Sequence, residues 1–159
     1  MGVSGAGKST VGRALAARLG FVFQEGDDLH PPTNIAKMSA GVPLTDEDRA
    51  PWLAAVGAWI DCCIAAGGGG VIACSALKAA YRRVLTEGRS TVRVVYLEGS
   101  KAVIADRVTA RKGHFMPASL IDSQFADLEP PTPDEDAIEV AIDQSTDDQV
   151  AAVVAALAR

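Results

Sequence analysis

The first ten residues carry the feature that most constrains the fold. Gly2, Gly7, Lys8 and Ser9 follow the spacing G-x-x-x-x-G-K-S, which is typical of a loop that binds phosphate groups. Its glycines let backbone N–H groups surround a polyphosphate, and the helix that follows directs its positive end at the anion. Lys8 would reach the outer phosphates and act in catalysis, and the Ser9 hydroxyl would ligate Mg²⁺. The predicted nucleotide site in this loop consists of Gly2, Ser4, Gly5, Ala6, Gly7, Lys8, Ser9 and Thr10.

Length and composition limit the kind of protein that carries this loop. With 159 residues, 48% of them hydrophobic, the chain suits one domain with a core, predicted over residues 1–159. A net charge of −5 argues against a nucleic-acid partner, and no apolar run or leader segment indicates a membrane. Cys62, Cys63 and Cys74 lie among apolar residues, which predicts buried reduced thiols in a cytoplasmic protein. His30 and His114 lack partners at ligand spacing, so no zinc site is expected.

Predicted strands alternate with predicted helices along the chain, which indicates an α/β domain with a mainly parallel, buried sheet. Apolar runs predict strands over residues 21–23, 71–74, 92–97 and 138–142. Helical periodicity and end signals predict helices over residues 9–19, 31–38, 46–64, 77–86, 100–111, 117–128 and 147–157. In the third helix the apolar positions, predicted to be core, are Trp52, Leu53, Val56, Trp59, Ile60, Cys63 and Ile64.

Ligands of such sheets bind beyond the carboxyl ends of the strands, so the residues directly after each strand are the candidates for a site. Glu25, Asp27, Asp28 and His30 follow the first predicted strand. Acids packed this closely favour binding of Mg²⁺ and of substrate hydroxyls. The alternative is a solvated acidic loop.

Basic residues are clustered in two later segments. Lys78 and Arg82 lie four apart after the second predicted strand, so they could hold an anionic group from one helix face or simply belong to a helix surface. Arg107, Arg111, Lys112 and His114 surround Gly113, which suits a lid over the nucleotide at about residues 107–118, or a basic helix end. Arg49 follows a predicted helix cap at Thr45 and is either an exposed residue or a substrate ligand.

Five segments together resemble the gluconate kinases (gluconokinases), small members of the nucleoside-monophosphate-kinase-like group. The matching segments are residues 1–9, 25–38, 41–53, 74–82 and 110–115, and the similarity continues through residues 124–125, 128–129 and the final strand. The resemblance implies an ATP-dependent kinase that makes 6-phosphogluconate from D-gluconate with the help of Mg²⁺. It also implies a three-layer P-loop kinase fold, with helices on both faces of a five-stranded parallel sheet of order 2-3-1-4-5, and a homodimer.

The resemblance also implies roles for individual residues. Asp27 would position or deprotonate the attacking hydroxyl, and with Ser9 it could support the metal through water. Arg107 and Arg111 would contact the nucleotide from the lid, with Arg111 acting on the transferring phosphoryl group. The sugar acid would be bound by Asp27, His30, Arg49, Lys78, Arg82 and Lys112.

Two departures from the family pattern bear on the metal. Glu25 stands where the family often has Asp, and no apolar strand ends in a plain Walker-B Asp, since Ser75 and Glu98 follow the second and third strands. The metal would then depend on Glu25 and Asp27 through water, or on the phosphates and Ser9 alone.

The start of the chain raises a question about the sheet. In the implied fold, the strand before the phosphate loop is the middle of the sheet, but here the loop begins at Gly2. Without that strand, backbone groups and apolar faces in the centre would be exposed, at about 1.5–3 kcal/mol for each lost aliphatic side chain. We therefore expect Met1 to be an internal residue of a natural chain with roughly five to ten further, mostly aliphatic and β-branched residues upstream.

Two other functions compete with this interpretation. Another small-metabolite kinase, such as a shikimate kinase, would share the phosphate loop but have a different substrate segment. A nucleotide-dependent switch of the GTPase type would carry the motif Asn-Lys-x-Asp, but Asn34 is the one asparagine of the chain and Ile35 follows it. The sequence therefore favours a kinase.

Overall fold

The computed structural model describes residues 1–110 and 118–159, in which helices and strands alternate as predicted. The strands are β1 (Val22–Glu25), β2 (Gly70–Ala73), β3 (Val95–Glu98) and β4 (Ile138–Ala141). The helices are α1 (Lys8–Leu19), α2 (Pro32–Ser39), α3 (Asp46–Ala65), α4 (Ala79–Thr86), α5 (Lys101–Ala110), α6 (Ala118–Asp127) and α7 (Thr146–Leu157). Short 3-10 helices span Gly26–Leu29 and Pro133–Glu135. None of the described helices is long and apolar enough to cross a membrane.

The strands form two parallel pairs. β1 pairs with β2 so that Glu25 lies opposite Ala73, and β3 pairs with β4 so that Glu98 lies opposite Ala141. The predicted parallel pairing is thus confirmed, but the bounds differ. The third strand begins three residues later than residue 92, because Arg93 donates hydrogen bonds from Nη1 to the carbonyls of Ser90 (2.8 Å) and Val92 (3.0 Å) and holds that segment in a turn.

An apolar groove lies between β2 of one pair and β3 of the other. Met1 contacts one wall, because its carbonyl accepts a hydrogen bond from the Leu97 amide (3.1 Å), and Gly2 contacts the other, donating to the Ser75 carbonyl (3.2 Å). The groove has a volume of about 380 Å³, and Val11, Leu15, Ile72, Val95 and Leu97 are among its lining residues. The described strands form two parallel pairs, β1 with β2 and β3 with β4.

Two hydrophobic clusters divide the helices into two groups. One cluster joins α1 and α7 to the β3–β4 pair and includes Leu15, Val140 and Val153. The other joins α3 to α4 and includes Trp52 and Tyr81. Each helix group thus packs through its own core.

Most of the predicted core of α3 is confirmed, because Trp52, Leu53, Val56 and Ile60 are buried. Two expectations at the carboxyl end of this helix are wrong. Ile64 is 43% exposed and lines the groove, and Cys62 is exposed, so only Cys74 of the three free cysteines is fully buried. Burial raises the pKa of the Cys74 thiol to about 11, which keeps it protonated.

An ion pair with a buried cation ties the segment between α6 and β4 to α4. The Arg82 side chain is 1% exposed, and its Nε and Nη2 donate to the two carboxylate oxygens of Glu135 at 2.5 and 2.7 Å. Its Nη1 donates to the carbonyls of Leu77 (3.0 Å) and Glu129 (2.9 Å). Because the pair is bidentate and its cation is shielded from water, we expect that removal of the Glu135 charge destabilises the folded state.

We predict that Glu135→Gln lowers the free energy of unfolding by about 3 kcal/mol, because it leaves a buried guanidinium without its counter-ion. The hydrogen bonds from Arg82 hold the pKa of Glu135 below its ordinary value of 4.5, so the stabilisation is complete above that value and is lost as the pH falls through the lowered pKa. Urea unfolding between pH 7 and pH 3 measures both effects.

The matched control is Asp122→Asn, which breaks the Lys101–Asp122 pair (2.9 Å) between two exposed side chains. Such a change should alter stability by less than about 1 kcal/mol. Equal losses for the two variants would contradict the assigned importance of the Arg82–Glu135 pair.

Candidate functional site

The predicted phosphate loop is folded tightly at the start of α1. Gly5 and Gly7 have φ angles of 85° and 92°, which favour glycine. A Cβ at Gly5 would also come within 2.8 Å of the Val108 side chain. Lys8 begins α1, and its Nζ donates across the loop to the Val3 carbonyl at 3.0 Å. The loop therefore has the backbone shape and the cation that an anion site needs.

Two neighbouring elements contact this loop. On one side, the Ser4 amide donates to Oε1 of Gln124 on α6 at 2.6 Å, so an acceptor of the protein occupies one donor of the loop. On the other side lies a pocket of about 310 Å³, where Arg107 donates to the Ile142 carbonyl. The pocket is lined by residues of the loop, α5 and the β4–α7 connection, among them Gly5, Gly7, Thr10, Arg107, Gln144 and Thr146.

The acidic loop after β1 is held close to β2. A Cβ at Gly26 would lie 2.4 Å from the Ala73 carbonyl oxygen, so the approach of the two backbones requires glycine. The Trp52 indole donates to the Gly26 carbonyl at 2.7 Å. Directly after this fixed residue, Asp27 and Asp28 are exposed, which makes the Asp27 carboxylate accessible to a ligand.

The donor groups near the phosphate loop limit how a metal could be held. In residues 1–110 and 118–159, no group of three or more His, Cys, Asp or Glu side chains could hold a metal ion. Mg²⁺ commonly binds through one or two protein ligands together with phosphate oxygens and water. A Mg²⁺ ion held in that form would need few protein donors, and the Ser9 hydroxyl on the first turn of α1 is of the required type.

His30, the residue directly after the acidic loop, is buried. It is 8% exposed, and its ring stacks on Trp52 with 4.4 Å between centroids and 10° between planes. Asn34 Nδ2 lies 3.2 Å from His30 Nδ1. Burial lowers the pKa of His30, the carboxylate of Asp27 opposes that shift, and Arg49 adds to it. His30 is therefore mainly a neutral imidazole at neutral pH.

Arg49 and Lys78 come together on one polar network. Lys78 Nζ donates to Asp46 at 2.8 Å, and Arg49 Nη1 donates at 3.1 Å to the hydroxyl of Tyr81, which in turn donates to Asp46. Asp127, the last residue of α6, lies 3.4 Å from Arg49 Nη2 and 4.0 Å from Lys78 Nζ. The hydrogen bonds from Lys78 and Tyr81 lower the pKa of Asp46, so it is ionised at neutral pH.

Arg82 does not join Lys78, which corrects the expectation that the two residues present one cationic face. Lys78 precedes the first residue of α4 and extends toward Asp46, whereas Arg82 turns inward to Glu135. The donors of Arg82 are engaged with Glu135 and with backbone carbonyls, and the side chain is almost inaccessible. In the structure, Arg82 joins α4 to the segment between α6 and β4. The predicted lid residues Arg111, Lys112 and His114 lie outside the described residues.

Comparison with known proteins identifies the family. A family model described as shikimate kinase matches residues 4–156. Over 147 residues the chain is 52% identical to a gluconokinase of Gluconobacter oxydans (strain 621H), covering 92% of this chain and 83% of that relative. It is 46% identical over 147 residues to the thermosensitive gluconokinase of Escherichia coli (strain K12), covering 92% and 78%. The chain belongs to the gluconokinase family.

A solved gluconokinase of Sinorhizobium meliloti 1021 agrees with this assignment. It superposes with a TM-score of 0.90 at 48% identity, covering 100% of this chain and 89% of that one. The P-loop kinase fold predicted from the sequence is thus confirmed, and so is the family resemblance. Because the named relatives and this solved structure are gluconokinases at 46–52% identity, the shikimate kinase model gives only an alternative.

Several residues of this gluconokinase-family site were missed by reasoning from the sequence. Gln144 and Thr146 follow β4 at its carboxyl end, a position that could have singled them out. Nothing in the local sequence marks Asp46, Tyr81 or Asp127 as a site residue. Asn34 lies within the segment 25–38 that resembles the family, but no role follows for it from the sequence. Their contacts cross between elements, so only the folded chain brings them to the site.

Proposed function

We propose that this protein transfers the terminal phosphoryl group of ATP to the terminal hydroxyl of D-gluconate and forms 6-phosphogluconate. The relatives named gluconokinase support this substrate pair. The observation that carries the proposal is that Arg49 and Lys78 share Asp46 and Asp127 as partners. Lys78 follows β2, and the exposed Asp27 follows the neighbouring strand β1. Cations beside an exposed carboxylate suit a substrate with one carboxylate and many hydroxyls.

The ATP side of the site would be formed by the phosphate loop and the pocket beside it. Backbone amides of residues 4–8 and the Lys8 ammonium would bind the outer phosphates, and Arg107, Gln144 and Thr146 line the space for the rest of the nucleotide. A Mg²⁺ ion on the phosphates and the Ser9 hydroxyl would neutralise charge during transfer. Arg111, outside the described residues, is proposed to stabilise the transferring phosphoryl group.

The gluconate part of the site would bind the carboxylate of the substrate through cationic side chains. Arg49 and Lys78 would bind it in place of Asp127, and Lys112 would add a contact from the lid. His30 and Asp27 would hydrogen-bond with the hydroxyls. Arg82 does not belong to this set, because its donors are engaged within the fold.

Asp27 would accept the hydrogen bond of the attacking hydroxyl. As the oxygen–phosphorus bond forms and the bond to the ADP oxygen breaks, the hydroxyl proton would pass to the Asp27 carboxylate. Phosphoryl transfer through a loose transition state needs little base assistance, so positioning of the hydroxyl is the larger part of the proposed role. The same carboxylate could also orient water on the metal.

Two further properties belong to the proposal. The family resemblance suggests a homodimer, and light scattering of the purified chain tests that. Three free thiols fit a reducing, cytoplasmic setting.

The experiment that tests the function is a coupled ADP assay with Mg·ATP and gluconate, shikimate, glycerate or nucleoside monophosphates as acceptors. We expect a clear preference for gluconate, and Lys8→Ala should lower turnover by about 100-fold or more because it removes a cation that binds the transferring group. Lys101→Ala, at an exposed position of α5, is the matched control. A preference for shikimate would establish the competing kinase, and ATP hydrolysis without need of an acceptor would favour a switch.

Asp27→Asn should lower kcat for gluconate by about 10- to 100-fold with little change in the KM for ATP, because the neutral amide accepts the hydrogen bond of the attacking hydroxyl more weakly than a carboxylate and cannot take its proton. Asp28→Asn, at the neighbouring exposed acid, serves as the control and should retain its activity. A loss confined to the KM for Mg·ATP would assign Asp27 to the metal instead.

Asp127→Asn should lower the KM for gluconate by about two- to fivefold, because the substrate carboxylate no longer competes with an internal carboxylate for Arg49 and Lys78. Asp122→Asn, on the same helix, should leave the KM unchanged. A higher KM in Asp127→Asn would mean that Asp127 itself binds the substrate.

A further inference from the structure

The orientation of His30 is fixed from two directions. Its ring stacks on the buried indole of Trp52, which prevents the ring from tilting. Its Nδ1 faces the side chain of Asn34, which is 2% exposed and lies on the next helix, α2. The imidazole therefore has one nitrogen in contact with a fixed polar group of the protein.

The Asn34 amide determines whether His30 Nδ1 is a hydrogen-bond donor or an acceptor. Asn34 Nδ2 donates to the Asp48 carbonyl at 2.7 Å, and a carbonyl oxygen can only accept. This contact identifies the amide nitrogen, and its second hydrogen lies toward His30 Nδ1 at 3.2 Å. Because an amide nitrogen donates and does not accept, His30 Nδ1 must be the acceptor and carries no proton.

The proton of the neutral ring is then on Nε2. Within residues 1–110 and 118–159, no group accepts a hydrogen bond from that nitrogen, and no fully buried side-chain nitrogen or oxygen lacks a partner. Nε2 is thus not fully enclosed by the protein, although the residue as a whole is only 8% exposed. We propose that Asn34 is a positioning residue that holds His30 as the Nε2–H tautomer, so that His30 donates a hydrogen bond to a hydroxyl or carboxylate oxygen of the substrate.

The same arrangement opposes protonation of His30. A second proton would sit on Nδ1 and face the N–H of Asn34. Of the charged groups that act on the ring, Asp27 beyond β1 favours the cation and Arg49 on α3 disfavours it. Lys37 on α2 and Asp48 on α3 are paired with each other at 2.7 Å. A ring held neutral with Nε2 protonated recognises acceptors and takes no proton from the attacking hydroxyl, which leaves that role to Asp27.

The tautomer can be observed without any activity. Long-range ¹H–¹⁵N spectra of the ¹⁵N-labelled full chain distinguish protonated from unprotonated imidazole nitrogens. The chain has only two histidines, so His114→Gln assigns the signals of His30. We expect a neutral His30 with Nε2 protonated at pH 7. A ring with Nδ1 protonated, or a doubly protonated ring, would overturn the proposal.

Substitution of Asn34 tests cause and effect. In Asn34→Asp a carboxylate faces Nδ1 and attracts a proton there, so the tautomer should change and the KM for gluconate should rise about fivefold, with the KM for ATP unchanged. Ile35→Ala, at an exposed position of the same helix, should change neither. If Asn34→Asp does not fold, the same spectra and kinetics of Asn34→Leu replace it, with loss of the single tautomer expected.

The inference about substrate contact rests on the proposed function, and the two can fail separately. The expected tautomer in a protein that does not phosphorylate gluconate contradicts the function and leaves the role of Asn34 intact. Gluconate phosphorylation with a different His30 tautomer contradicts the inference alone. A changed tautomer with an unchanged KM for gluconate would overturn the proposed contact between His30 and the substrate.

Discussion

The close approach of Gly26 to β2 is the constraint on which the substrate half of the site depends. The Ala73 carbonyl would lie 2.4 Å from any Cβ at this position, so only glycine lets the chain leave β1 this near to its neighbour. Trp52 fixes the same residue from α3 through its indole N–H. The Trp52 ring also stacks on His30. One buried tryptophan thereby sets both the backbone before Asp27 and the ring of His30.

The polar part of the site is neutralised by the protein itself. Arg49 and Lys78 face Asp46 and Asp127, and Tyr81 joins the two sides by hydrogen bonds. Paired in this way, the cations carry no large uncompensated charge before a ligand binds. The binding free energy of an anionic ligand is then only the difference between the energy of its own contacts and the energy of the internal contacts that it displaces. This favours a substrate whose carboxylate and hydroxyls replace several contacts at once.

Much of the fold could be predicted because its signals are local. The phosphate loop is a run of eight residues, the cap at Thr45 accepts from the Asp48 amide as expected, and helices alternate with parallel strands. The fate of Arg82 could not be predicted, because its partner Glu135 is 53 residues away and nothing local marks that distance. Their spacing of four residues predicts that Lys78 and Arg82 lie on the same helix face. In the structure they point to different tertiary partners, Asp46 and Glu135.

The same limit applies inside the site. His30 was expected at the substrate from its position after β1, yet its chemical state depends on Asn34 and, through it, on a backbone carbonyl of α3. Asp127 and Gln124 are separated by less than one turn of α6 and contact different partners. Such contacts between different helices and strands arise when the chain packs. Residue types and their spacing within one helix do not predict them.

Helix α6 connects the two halves of the candidate site. Its Gln124 accepts from the Ser4 amide of the phosphate loop at 2.6 Å, and its Asp127 lies 3.4 Å from Arg49. In both contacts an acceptor of the protein occupies a donor that, under the proposed function, binds a ligand: the Ser4 amide binds phosphate and Arg49 binds the substrate carboxylate. A nucleotide that replaces Gln124 and a sugar acid that replaces Asp127 would release the same helix. The energetic cost of moving α6 would then be shared, so binding of one ligand should favour binding of the other by way of this helix.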